Sequence, residues 1–186
     1  MEANRKVYET ILHLLEEKGP FFTTAELAQR LRISKRTLYK MFPTKAEIID
    51  KTLAFFFHDL FKRWHVPKET RQLSSSRLLQ IQLSKLPEKY DLDKILNYSQ
   101  EFERLYPEQW QKLQRFVDEL GKMVFDFLVE NQNVRLLTVS EQKVLLRTIQ
   151  LQIRQLLDGA YLKAEGLSFK EALQAFYQLI LRGILY

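Results

Sequence analysis

Lys35, Arg36 and Thr37 stand in a row directly after Ser34. Their chemistry suits the edges of nucleic-acid bases. An Arg or Lys can bond guanine O6 and N7 in the major groove, and a Thr methyl can meet a thymine methyl. Tyr39, Lys40, Lys45 and Thr23 lie close by in the sequence and are of types that bond phosphate oxygens. The alternative for so many cations is a merely solvated basic face.

Local signals place these residues on two short helices, about 24–31 and 35–41, joined by a tight turn. Thr23 is a favoured N-cap and Glu26 stands at its N3 position, the spacing of a capping box. Phe22 and Leu27 have the spacing of a hydrophobic staple. Leu27, Ala28 and Leu31 form one apolar stripe, with Ala28 small where a second helix must cross closely. Ser34 suits the cap of the second helix. Leu38 and Phe42 turn inward at i, i+4, which leaves Lys35, Arg36, Thr37 and Lys40 outward. A helix-turn-helix offers the first turn of its second helix to the major groove.

This stretch resembles the tetracycline repressor (TetR) family. Thr23, Leu27-Ala28, Ile33-Ser34, Thr37-Leu38-Tyr39, Phe42 and Lys45-Ala46-Glu47-Ile48 follow the family's pattern across three helices, over about a quarter of the chain. The resemblance implies base contacts from Lys35, Arg36 and Thr37 beside the cap residue Ser34. It implies phosphate contacts from Thr23, Tyr39, Lys40 and Lys45; Lys45 also opens a helix whose free N–H groups favour an anion. Two positions depart from the pattern. Leu31 stands where the family often has Ala, and Arg32 where it usually has Gly. A left-handed Arg32 would cost roughly 1 kcal/mol.

Length and composition narrow the alternatives. The 186 residues allow one domain or two small ones. Residues 1–45 hold nine Lys/Arg against five Asp/Glu, and residues 46–186 hold twenty against eighteen. The positive excess is therefore concentrated where a phosphate-binding face would need it. With no Cys, disulfides and thiolate metal sites are excluded. No apolar run approaches the ~18 residues of a membrane span. The opening Met-Glu-Ala-Asn-Arg-Lys leads into an amphipathic helix and does not read as a signal peptide, so a cytoplasmic protein is expected. His13, His58 and His65 lack the spacing of a metal site. No Gly-rich phosphate loop, nucleophile elbow or acid–base pair emerges. The expectation is a protein with no metal or cofactor and no enzymatic activity.

The rest of the chain reads as helices. Val7, Ile11, Leu14 and Leu15 make an amphipathic first helix, stopped by Gly19-Pro20. Thr44-x-x-Glu47 opens a long helix to about Trp64 that is apolar on most sides. Helices are expected over about 73–86, over 92–105, from Pro107 to about Leu128, over 141–164 with Ser140 as cap, and from the Ser168-x-x-Glu171 box to the end. Residues 134–139 are the best strand candidate and are too short. Between these helices Phe57, Phe61, Trp64, Tyr98, Phe102, Trp110 and Phe116, with Gln152 as a polar contact, could line a pocket for a small-molecule effector, as the family's sites do; the alternative is core packing. The last two helices are unusually apolar. In the family such a pair forms a dimer interface, which here would centre on Leu156, Gly159, Ala172, Phe176 and Ile180; the alternative is that they close their own core.

These readings converge on an all-α protein with a helix-turn-helix domain at 1–46 and a regulatory and dimerisation domain at 47–186. The expected function is sequence-specific binding of double-stranded DNA by a homodimeric regulator, a repressor by family analogy. The competing reading is a helical interaction or architectural protein that kept the fold without an effector pocket.

Overall fold

A computed structural model describes residues 2–63, 74–84, 86 and 89–184. The chain is all-α. In order, the helices are α1 (Glu2–Lys18), a 3-10 turn (Gly19–Phe21), α2 (Thr24–Leu31), α3 (Lys35–Met41), α4 (Lys45–Arg63), α5 (Ser75–Ser84), α6 (Leu92–Leu96), α7 (Ser99–Leu105), α8 (Pro107–Val129), α9 (Val139–Gln155), α10 (Gly159–Ala164) and α11 (Phe169–Ile184). Among the described residues there is no strand. Val134 makes an isolated bridge, and the Arg135 N–H donates to the Ile184 carbonyl. No helix is long and apolar enough to cross a membrane among the described residues.

The chain packs as two compact units, residues 1–59 with 88–113, and residues 60–87 with 114–186. The first is built around Ile11, Leu14, Phe22, Leu27, Leu38 and Ile48, all fully buried. Phe55, Phe56, Tyr90, Ile95 and Phe102 pack against that cluster. The first unit therefore holds more than the helix-turn-helix: α6, α7 and the start of α8 join it. Lys89 bonds Glu9 at 3.3 Å, and the Asp91 N–H donates to Glu16 at 2.6 Å. Lys112 bonds both carboxylate oxygens of Asp50 at 2.8 Å.

In the second unit, Val124, Leu128, Ile149, Ile153, Leu156, Leu173 and Leu181 are buried, and α11 packs on α5. Gly121 lets α9 approach α8: a Cβ there would lie 2.9 Å from Gln150 Cγ. Arg154 closes on Asp118 with two hydrogen bonds alongside.

Two expected helices are each divided. The 92–105 segment breaks at Asn97-Tyr98, where the Tyr98 ring packs on Gly19. The 141–164 segment begins earlier and stops sooner. Thr138, not Ser140, caps α9, in a capping box with Glu141. Asp158 then accepts hydrogen bonds from Ala160 and Tyr161 N–H and opens α10. A short acceptor side chain competes well for backbone donors, so an Asp inside an amphipathic pattern can end one helix and start another.

Candidate nucleic-acid interface

The site is built from its caps upward. The Thr23 hydroxyl accepts from the Glu26 N–H, while the Glu26 carboxylate accepts from the Thr23 N–H at 2.7 Å. Both α2 start signals read from the sequence are thus in place, and Phe22 and Leu27 of the staple are fully buried. The Lys18 ammonium bonds the same carboxylate. Lys18 first, and then the Thr23 N–H, hold Glu26 down to about 2 from an ordinary 4.5.

α2 ends on Arg32, whose φ of 55° and ψ of 40° are left-handed. The Arg32 N–H donates to the Gln29 carbonyl and the Ile33 N–H to the Ala28 carbonyl. That pair of bonds is a Schellman motif with Arg32 at the position that usually takes Gly. It reverses the chain sharply and delivers Ser34 to cap α3. The Ser34 hydroxyl accepts from the Thr37 N–H at 3.0 Å, and the two hydroxyls lie 2.9 Å apart. Leu38 and Phe42 anchor α3 in the core.

What α3 leaves outside is Lys35, Arg36, Thr37, Tyr39 and Lys40, all exposed. Among the described residues the charged ends of Lys35, Arg36 and Lys40 bond no other side chain. The flanking cations differ: Arg5 pairs with Glu9 and Asp59, Lys18 with Glu26, Arg30 with Glu17 and Lys51 with Glu47. A row of uncompensated donors on the first turns of a rigidly capped helix can donate to phosphate and base acceptors without breaking internal bonds.

Residues 7–52 match the family described as bacterial regulatory proteins, tetR family. The N-terminal segment is a tetR-family helix-turn-helix domain. Over 183 residues the chain is 22% identical to "Uncharacterized HTH-type transcriptional regulator YvaF" of Bacillus subtilis (strain 168), an alignment spanning 97% of this chain and 95% of that protein. No solved structure matches the chain. The tetR-family domain serves DNA binding in transcription regulation.

The other expected contacts of the tetR-family domain are less free. The Thr23 hydroxyl is committed to its capping box with Glu26. The Tyr39 hydroxyl lies 3.2 Å from that of Thr24. Lys45 is tucked in: its ammonium donates to the Pro20 carbonyl and lies 4.5 Å from the centroid of the Phe22 ring. Burial lowers its pKa. It buttresses the 3-10 turn, a role the sequence did not signal.

The residues expected to line an effector pocket fall in both units. Phe57, Tyr98, Phe102 and Trp110 belong to the first unit, and Phe61, Phe116 and Gln152 to the second. Trp64 lies outside the described residues. Tyr98 meets Phe21 edge-on at 6.3 Å, and Phe61 meets Phe116 at 6.2 Å. Of the residues expected at a dimer interface, Leu156, Gly159 and Ala172 are buried in the chain's own second unit, while Phe176 and Ile180 are half-buried. The large apolar side chains left outside on these helices are Val139, Val144 and Leu151 of α9 and Leu179 of α11. His13 bonds Glu16 at 2.6 Å beside the Tyr90 ring, and His58 is exposed. His65 lies outside the described residues.

Proposed function

We propose that this chain is a dimeric, effector-responsive repressor that binds a near-palindromic operator, working in the cytoplasm with no cofactor. The observation that carries the reading is the capped α3, with Lys35, Arg36, Thr37 and Lys40 exposed and its cations unpaired, on a tetR-family domain. Lys35 or Arg36 reads guanine, Thr37 reads thymine, and Tyr39 and Lys40 hold phosphates. Thr23 and Lys45 join the phosphate contacts if DNA draws them from their internal partners. The functional division stays at 1–46 and 47–186, with the regulatory part reaching the reading head through α6 and α7.

Effector response has a physical route. α6 and α7 lie against α1 and the 3-10 turn through the Asp91–Glu16 bond and the Tyr98–Gly19 contact. A ligand that binds better when α6 and α7 are displaced would shift the reading head, and only such differential affinity can do so. Dimerisation is favoured by the uncovered Val144, Leu151 and Leu179. A twofold pair of heads then spans half-sites about 34–36 Å apart.

Selection of bound duplexes from a random pool tests the reading. A near-palindrome with that half-site spacing is expected. Recovery of unenriched sequence would overturn it.

A further inference from the structure

We propose that Arg32, in the turn between α2 and α3, is a further DNA-backbone contact, its guanidinium neutralising one phosphate beside the reading helix. The inference rests on the DNA-binding reading above and adds a residue to it. Three observations carry it. First, Arg32 holds a left-handed backbone, the single positive-φ residue other than Gly in the described chain. The Schellman motif fixes that conformation through two backbone bonds, so the turn cannot relax to suit the side chain.

Second, nothing among the described residues compensates for the strain. Arg32 is exposed, and among the described residues its guanidinium has no hydrogen bond, ion pair or ring partner. Two residues earlier, Arg30 is locked onto both carboxylate oxygens of Glu17. Strain held at a residue whose side chain does nothing for the fold points outward, to a ligand.

Third, the field around it is of one sign. Residues 27–46 contain Arg30, Arg32, Lys35, Arg36, Lys40 and Lys45 and no Asp or Glu. With Arg30 and Lys45 engaged internally, Arg32, Lys35, Arg36 and Lys40 make a run of free cations from the turn along the reading helix. Arg32 comes two residues before the cap Ser34. A side chain there lies beside the turn of helix that enters the groove, where phosphates flank the bases. The competing role is purely local: a cation at the C-terminus of α2 complements the helix dipole.

The two roles part on Arg32→Gly, which supplies the residue the backbone prefers. The experiment uses the full chain, an operator selected from a random pool and an unrelated duplex, each titrated across salt concentrations. For Arg32→Gly we expect a thermal midpoint at or above wild type, and weaker binding to both duplexes. Loss of one phosphate contact lowers the salt slope by about 0.9, which is about fivefold in affinity at 0.15 M salt. Arg32→Lys keeps the charge and should keep the slope. Wild-type affinity and slope in Arg32→Gly would overturn the proposal while leaving DNA binding intact. Failure of the wild-type protein to bind either duplex would overturn both. A loss confined to the selected operator would also overturn it, because a phosphate contact carries no base information.

Discussion

The ring of Tyr98 packs directly on Gly19. A Cβ at Gly19 would fall 2.2 Å from Tyr98 Cγ, inside any real contact. Gly19 also holds a φ of +54°. The turn that ends α1 is thus shaped to receive a side chain from the segment between α6 and α7. Gly19→Ala should cost about 1 kcal/mol for the left-handed backbone and about 1–3 kcal/mol more for overpacking. In the Tyr98→Ala background only the first cost should remain. A denaturation double-mutant cycle measures the difference, and purely additive losses would show that the ring does not press on Gly19.

Arg36→Ala and Lys35→Ala should leave the fold unchanged, since both side chains are exposed and unpaired. A base contact should cost about 1–3 kcal/mol of operator affinity and relax preference at one position. Titration against single-position operator variants checks this. Full affinity in both mutants would remove these residues from readout.

Lys45 is expected to matter for stability. Its ammonium is bonded to the Pro20 carbonyl and seated on Phe22, and hydrogen bonds to charged groups are worth about 1.5–3 kcal/mol. Lys45→Ala should lower unfolding stability by about 2 kcal/mol on that basis. If its main work is instead on a phosphate, stability will hold and affinity will fall evenly across sequences.

Acid should loosen α2 and α9 together. Glu26 is held at about 2 by Lys18 and then Thr23, and Glu141 at about 2 by Arg135 and then Thr138, each from an ordinary 4.5. Both folded values lie below the unfolded ones. Their stabilisation is therefore complete above about 4.5 and is lost as pH falls towards 2. Glu26→Gln with Glu141→Gln should flatten the fall in thermal midpoint across that window. Parallel pH curves for mutant and wild type would show that the caps carry no such linkage.

Much of the reading head was legible because its signals are local. Thr23–Glu26, Phe22–Leu27 and Ser34–Thr37 each act within five residues, and all three sit as their spacing implies. Arg32 was flagged by the Gly it replaces, and the left-handed turn is there. The misses were settled by longer-range packing or by short competing caps. Tyr98 breaks the 92–105 helix by packing on a glycine far back in the sequence. Thr138 and Asp158 outcompete the amphipathic period around α9. On α9 the apolar residues divide only in the fold: Ile149 and Ile153 are core, and Val144 and Leu151 surface.

That ranking decides how dimerisation should be tested. Leu156, Ala172 and Leu173 are at most 8% exposed, so a charge there would damage the protomer and reveal nothing about a partner. Leu179 is 70% exposed and Val144 65%. A Glu at either position should leave the monomer folded, because surface substitutions away from packed features usually cost within about 0.5 kcal/mol. On α11, Leu179 continues a stripe with the half-buried Phe176 and Ile180. If a second copy covers this face, Leu179→Glu places a charge in an apolar interface and should split the dimer at micromolar concentration. Operator affinity should fall with it, since one head alone makes half the phosphate contacts and the salt slope scales with their number. Sedimentation equilibrium and operator titration on the same preparation read both effects. A Leu179→Glu, Val144→Glu double mutant that remains a dimer would place the interface elsewhere. A folded monomer that still binds the full operator with wild-type affinity would sink the two-headed mechanism itself.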